Sequence, residues 1–160
     1  MKKILFTLFI LALGINLSKA QIGNYNENQI PDHTPMMNST WEAIDKMMYK
    51  VSTVGNKKVY TPSYPPPLKK LENKLVELPG YMVPLKSGRN HNTYMLSVLP
   101  ITQCQFCGTN GIPPMVEIFM KSGTVKYTDE PIKIKGKMVF NPEPLKGNAE
   151  IQIVDAVLIN

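Results

Sequence analysis

Residues 132–140 read Ile-Lys-Ile-Lys-Gly-Lys-Met-Val-Phe, and this stretch decides the fold class. Apolar residues or glycine stand at alternate positions from 132 to 138, and Lys133, Lys135 and Lys137 stand between them. Such alternation with a period of two is typical of a β-strand with one face on the core and the other in water. We therefore predict a mainly β protein, and we interpret the lysine row as a solvated strand face that protects the sheet from aggregation.

Four other stretches have the length and composition of strands, at residues 75–84, 94–99, 115–121 and 151–159. Gly80 lies in the middle of the first stretch, and a glycine there often marks a bend where a strand passes from one sheet to another. Asp155 disturbs the pattern of the last stretch. Five strands with a bent first strand predict a small, partly open barrel of the oligonucleotide/oligosaccharide-binding (OB) type. A small open sheet packed on an N-terminal helix is the alternative.

One N-terminal helix is predicted before these strands. Ser39 and Glu42 are spaced as a capping box, so the helix is expected to begin at Ser39 and to end near Val51. Apolar residues recur at helical spacing along it, namely Trp41, Ile44, Met47 and Met48. The two methionines are interpreted as core packing and not as a soft-metal site, since methionine fills irregular gaps well.

The rest of the N-terminal half is rich in prolines and polar residues. Residues 60–67 contain four prolines, which remove backbone donors and fix φ, so an extended strap across the domain is expected. Residues 21–38 are polar and rich in asparagine, which predicts a flexible arm. Residues 39–160 are then predicted to form one OB-like β domain together with the helix and the strap.

Residues 1–20 are predicted to be a cleaved secretory signal peptide. Lys2 and Lys3 precede an apolar run at residues 4–13, and small residues stand before a cleavage point after Ala20. The run is too short to span a bilayer, which needs roughly 20 residues. We therefore expect a periplasmic or secreted protein without a transmembrane segment after cleavage.

The basic charge of the chain comes partly from this signal. The whole chain carries a formal charge of +6, and removal of Lys2, Lys3 and Lys19 lowers that charge to +3. Arg89 is the only arginine, whereas phosphate and base-edge recognition favour the planar arginine fork. The composition therefore predicts no nucleic-acid partner.

Both cysteines lie between the second and third predicted strands, in the motif Cys104-x-x-Cys107-Gly108. Outside the cytoplasm thiols are normally oxidised, and closing so short a loop as a disulfide stabilises the fold by about 2 kcal/mol. A thiol–disulfide exchange site is a second interpretation. The glycines and prolines that follow Cys107 disfavour it, because a reactive Cys-x-x-Cys usually opens a helix.

A metal site is the third interpretation of the cysteine pair. A closed zinc site needs four ligands, so His91, His33 or methionines would have to complete it, whereas two thiolates alone could hold a soft ion such as Cu(I). His91 lies in the polar turn at residues 87–92, which could lie near the barrel end that carries the cysteines. Cys104, Cys107 and His91 are therefore the candidate ligands for zinc or copper. An exposed turn histidine is the alternative for His91, and His33 is expected to be exposed in the arm.

Signatures of catalysis are missing from the chain. It contains no Gly-x-Ser-x-Gly elbow, no phosphate-binding loop and no His-Glu-x-x-His helix, so no catalytic residue is predicted. The favoured hypothesis is a non-enzymatic binding or accessory protein that handles metal through the cysteine pair. A thiol–disulfide redox protein and a structural envelope adaptor with a disulfide are the alternatives.

Three segments together resemble a family of exported bacterial proteins of unknown function. They are the run Val-Glu-Leu-Pro-Gly-Tyr-Met-Val-Pro-Leu at residues 76–85, the cysteine motif, and Pro-Pro-Met-Val-Glu-Ile at residues 113–118. The resemblance covers about residues 60–140 and implies a periplasmic or lipoprotein OB-like domain. It also implies an envelope protein or a transport system as partner, and it carries over no catalytic residue.

Overall fold

The computed structural model of the protein describes residues 36–100, 113–141 and 147–159. The predicted signal peptide, all but the last three residues of the predicted arm, and the cysteine motif lie outside these ranges. The elements follow in chain order: α1 (Ser39–Asp45), β1 (Met48–Val54), β2 (Lys57–Ser63), α2 (Pro66–Lys69), β3 (Leu75–Pro84), β4 (Asn90–His91), β5 (Thr93–Ser97), β6 (Met115–Met120), β7 (Val125–Lys126), β8 (Ile132–Phe140) and β9 (Ile151–Ile159). Neither α1 nor α2, the helices of the described part, has the length and apolar character that a bilayer crossing requires.

Five strands form a closed barrel in the order β3-β5-β6-β9-β8, with β8 pairing back onto β3. Neighbouring strands are antiparallel except β6 and β9, which are parallel. The predicted mainly β, five-stranded OB-like barrel is confirmed. It is closed and not partly open, and the described residues contain two helices where one was predicted.

β3 closes the barrel because it pairs with two different strands along its length. Its first part, from Leu75 to Gly80, pairs with β8, and its second part, from Tyr81 to Pro84, pairs with β5. A Cβ atom on Gly80 would lie 2.7 Å from the carbonyl oxygen of Ser97. Glycine therefore occupies the point where the strand changes partner, as the sequence predicted.

The inward-facing side chains of each strand fill the barrel interior. Fully buried residues from all five strands fill it, among them Leu78, Tyr94, Leu96, Val116, Ile118, Ile134, Met138 and Ile153. The predicted alternation of β8 is confirmed, since Lys133 and Lys135 point outward and both bind the Glu77 carboxylate, with Nζ–O distances of 3.0 and 3.1 Å. Hydrogen bonds from Lys133 and Lys135 lower the pKa of Glu77. These ion pairs are exposed and stabilise the fold little.

The predicted helix is shorter than expected and is capped by another residue. The Asn38 side chain, not that of Ser39, accepts the hydrogen bond from the Trp41 amide at 2.9 Å, and the helix ends at Asp45 instead of near Val51. Asparagine is as good an N-cap as serine. The predicted capping box at Ser39 is therefore wrong by one residue.

A β-hairpin replaces the last part of the predicted helix. β1 and β2 pair from Met48↔Ser63 to Val54↔Lys57 around a two-residue turn that begins with Gly55 at φ +60°. Valine, threonine and tyrosine residues, which favour strands, dominate this stretch. The prediction that both methionines pack in the core is correct for Met47, which packs against the core. It is wrong for Met48, which is 69% exposed.

The predicted proline strap is divided between two elements. Its first half is the end of β2, where Pro62 lies in a strand that has only one neighbour. Its second half begins α2 at Pro66 and Pro67. The expectation of an extended conformation to residue 67 is wrong, because proline is tolerated in the first turn of a helix, where its missing N–H would have no partner.

Candidate functional site

The strand directions place two long connections at the same end of the barrel. β6 and β9 begin there, and β5 and β8 end there. We call this end the rim. The β5–β6 connection, which contains the cysteine motif, and the β8–β9 connection therefore both leave and re-enter the barrel at the rim. Helix α1 packs beside it, where the Trp41 Nε1 donates to the Pro79 carbonyl at 2.7 Å.

A cavity of about 310 Å³ lies at the rim between α1, β1 and the barrel. We call it the rim cavity. Its chemistry-bearing lining residues are three methionines, two carboxylates and one tyrosine, namely Met47, Met95, Met115, Asp45, Glu150 and Tyr49. Pro113 and Pro114, the residues at which the β5–β6 connection returns to the described chain, also line it. The cysteine-bearing connection is thus attached at the wall of the cavity.

Glu150 ties the hairpin to the barrel beside this cavity. The Tyr49 hydroxyl donates to Glu150 Oε1, and the Tyr64 hydroxyl donates to the Glu150 carbonyl at 3.3 Å. The Tyr64 ring stacks on Phe140 with a centroid distance of 4.1 Å. Partial burial, together with the hydrogen bond to the negative Glu150, raises the pKa of Tyr49 to about 12.

Replacing Tyr49 with phenylalanine is expected to remove one late-titrating tyrosine. The raised pKa means that the folded state disfavours tyrosinate, so the contribution of Tyr49 to stability is complete below pH 10 and is lost as the pH rises from 10 towards about 12. The measurement is tyrosinate absorbance against pH. The control is Glu150→Gln, which keeps the phenol and should lower the pKa of Tyr49 towards its ordinary value. If the tyrosine titration that the Tyr49→Phe variant loses has its midpoint near pH 10 instead of above it, this prediction is contradicted.

Glu117 is a buried carboxylate next to the rim cavity, since its pairing partner Met95 and its hydrogen-bond donor Ala149 both line that cavity. It is 4% exposed on β6, and its Oε2 accepts from the Ala149 amide at 3.1 Å and from Gln152 Nε2 at 3.4 Å. It holds the end of the β8–β9 connection against β6. Glu117 alternates along β6 with Val116 and Ile118, which face the barrel interior. The segment that covers Glu117 lies 32 residues away, so nothing in the local pattern indicated its burial.

His91 lies at the opposite end of the barrel from the rim. It is part of the β3–β5 connection, in strand β4, which pairs with β7 through His91↔Val125. The expectation that the turn at residues 87–92 lies near the cysteine-bearing end is wrong, because antiparallel neighbours place successive connections at alternate ends. His91 is also buried rather than an exposed turn residue, and its Nε2 donates to the Gly88 carbonyl at 3.2 Å.

Cys104, Cys107 and His33 lie outside the described residues, so the predicted ligand set with His91 stays a prediction. Among the residues that are described, no group of three or more His, Cys, Asp and Glu side chains is placed to hold a metal ion. The structure adds instead what sequence reasoning missed, the methionine-lined rim cavity with Tyr49 and Glu150. Its members are too far apart in the chain for any spacing to have indicated it.

The comparisons with known proteins supply no relative. No protein-family model matches the chain, and no curated protein and no solved structure matches it. The resemblance to exported bacterial proteins of unknown function stays a prediction, and functional inference depends on the geometry of the rim.

Proposed function

We propose that this chain is an exported, non-enzymatic binding protein of the cell envelope that handles a soft metal ion, Cu(I), at the rim. One observation supports this most strongly: Met47, Met95 and Met115 line the same cavity, beside the point where the connection with Cys104 and Cys107 returns to the barrel. The partner proposed from the sequence is an envelope protein or a transport system that delivers or receives the ion.

The pairing of β5 and β6 supports a common methionine surface. Met95 pairs with Glu117 and Ser97 pairs with Met115, so the two methionines are diagonal neighbours on adjacent strands. Such neighbours are about 7–8 Å apart, within reach of long side chains. Met47, which follows α1, lines the same cavity.

Met47, Met95 and Met115 are more exposed than the methionines inside the barrel, although Met47 also packs against the edge of the core. Met82 and Met138 are buried in the barrel, at 3% and 0% exposure, whereas Met47, Met95 and Met115 are only half-buried. A dissolved ion can therefore reach the cavity methionines. Their thioethers, like cysteine thiolates, are soft ligands that select Cu(I), whereas zinc favours cysteine, histidine and carboxylate ligands. Copper is accordingly proposed ahead of zinc.

A competition titration tests the proposal. The reduced protein is titrated with Cu(I), and separately with zinc, against a chromophoric chelator. The Met47→Leu/Met95→Leu/Met115→Leu variant keeps the side-chain volumes, so its fold should survive. We expect it to bind Cu(I) at least about tenfold more weakly, the equivalent of about 1.4 kcal/mol. The Cys104→Ser/Cys107→Ser variant should lose more Cu(I) affinity than the triple-methionine variant.

Exposed methionines outside the cavity provide the matched control. Met37→Leu/Met48→Leu should bind Cu(I) as the unchanged protein does, because both residues lie on the surface. Equal binding by the triple-methionine variant would exclude a role of the thioethers. No Cu(I) binding by the unchanged reduced protein would overturn the metal proposal. A reduction potential below about −300 mV would then favour the structural disulfide of an adaptor over a redox-active thiol pair.

A further inference from the structure

The β1–β2 hairpin is exposed along its length. All seven residues of β1 are exposed, and β2 is exposed or half-buried throughout. A two-stranded hairpin without a third strand or a packed face is marginally stable at best. This one is joined to the barrel at its base through Tyr49 and Glu150, so its tip at Gly55 is left free to contact something else.

Apolar side chains lie on both faces of this hairpin. The pairing places Met48, Val54 and Val59 on one face, and Val51 directly opposite Tyr60 on the other. Met48, Val51, Val54 and Tyr60 are 69, 56, 67 and 49% exposed. A protein groove would cover one face of such a ribbon, whereas a lipid interface surrounds an inserted tip on all sides.

The charge of the hairpin has one sign. Lys50, Lys57 and Lys58 lie on it and Lys46 just before it, whereas residues 46–71 contain no aspartate or glutamate. Lys57 pairs with Val54 next to the turn, and Lys58 follows on the other face. Each face of the tip therefore combines a lysine with apolar residues, which is complementary to an anionic surface with an apolar interior.

We propose that the hairpin binds tip-first to the headgroup region of a bilayer that contains anionic phospholipid. Lysines near such a surface are attracted to it, and tyrosine is enriched at the level of the headgroups. Insertion stops there, because both outer edges of a two-stranded ribbon carry unpaired backbone groups that hydrocarbon cannot satisfy. This contact is independent of metal binding and would hold the rim cavity near the membrane.

Vesicle sedimentation tests this proposal with the full chain as expressed and processed. The vesicles are phosphatidylcholine alone or with about one third phosphatidylglycerol, a composition that provides an anionic surface. The protein should bind the anionic vesicles and lose binding as salt is raised. Each lysine near the surface raises the membrane affinity about fivefold. The Lys57→Gln/Lys58→Gln variant should therefore bind the anionic vesicles about 25-fold more weakly. Val54→Ser should also weaken binding.

Two exposed lysines at the opposite end of the barrel give a matched control. Lys121→Gln/Lys126→Gln changes the net charge by the same amount and should stay within about twofold of the unchanged protein. Circular dichroism checks that each variant is folded. Equal weakening in the control would show that net charge, and not the hairpin, drives binding, and would overturn the proposal. Absence of binding to anionic vesicles would also overturn the proposal, and it would favour an acidic protein as the partner.

Discussion

The Trp41→Ala variant is expected to lose about 3–5 kcal/mol of unfolding free energy, the cost of truncating a buried aromatic residue. Trp41 is completely buried, and its Nε1 donates to the Pro79 carbonyl at 2.7 Å. Helix α1 has only seven residues, too few to be stable without packing. Trp41 attaches the helix to the barrel together with the buried Ala43 and Ile44. A second hydrogen bond runs from the Asn38 side chain to the Glu77 carbonyl at 3.2 Å.

The matched variant Trp41→Phe separates packing from hydrogen bonding. It keeps an aromatic ring and leaves the Pro79 carbonyl without its donor, so a smaller loss of about 2 kcal/mol is expected. Urea unfolding followed by circular dichroism measures both variants. Because Ile44 and Met47 line the rim cavity, Trp41→Ala should also weaken Cu(I) binding. A loss below about 1 kcal/mol for Trp41→Ala would mean that the helix is held to the barrel by other contacts.

The Gly136→Ala variant is expected to lose about 3 kcal/mol, the upper part of the usual range for overpacking. A Cβ atom at this position would lie 2.6 Å from Ile153 Cγ2 and 2.9 Å from the Val154 carbonyl oxygen. Gly136 lies where the register between β8 and β9 shifts, and Asp155 adopts φ +51° beside that shift. The backbone contact cannot be relieved by a side-chain rotation, so the added methyl group must displace strand β9.

Gly123→Ala is the control for the loss of glycine itself. Gly123 has φ +68°, and a Cβ atom there would meet nothing within 4 Å. Its replacement should therefore cost only the backbone strain, about 1 kcal/mol. Urea unfolding with an unchanged m-value compares the two variants. The close approach of β8 and β9 would be contradicted if Gly136→Ala were no less stable than Gly123→Ala.

The barrel strands were predictable because their signal is local. β3, β8 and β9 begin and end at the predicted residues, and β5 and β6 differ by at most two residues at either end. The bend at Gly80 and the irregularity at Asp155 were also indicated by single residues. Alternation along a strand reports which face meets the core, and that requirement exists before any partner strand is known.

The hairpin was missed because two patterns coincide over the same residues. Met47, Met48 and Val51 recur as they would on a helix face, and short apolar runs cannot be assigned from periodicity alone. The strand preference of valine, threonine and tyrosine prevails in the folded chain, where β1 pairs with β2. The turn at Gly55 and Asn56 was the signal that could have indicated it.

By itself, the sequence determined a mainly β chain, its five barrel strands and the place where the first strand bends. Only the tertiary structure decided that Met47, Met95 and Met115 line one cavity and that His91 lies at the far end of the barrel. The physical reason is that periodicity depends on neighbours within a few residues. The meeting of distant side chains depends on strand order and direction, which no spacing along the chain encodes.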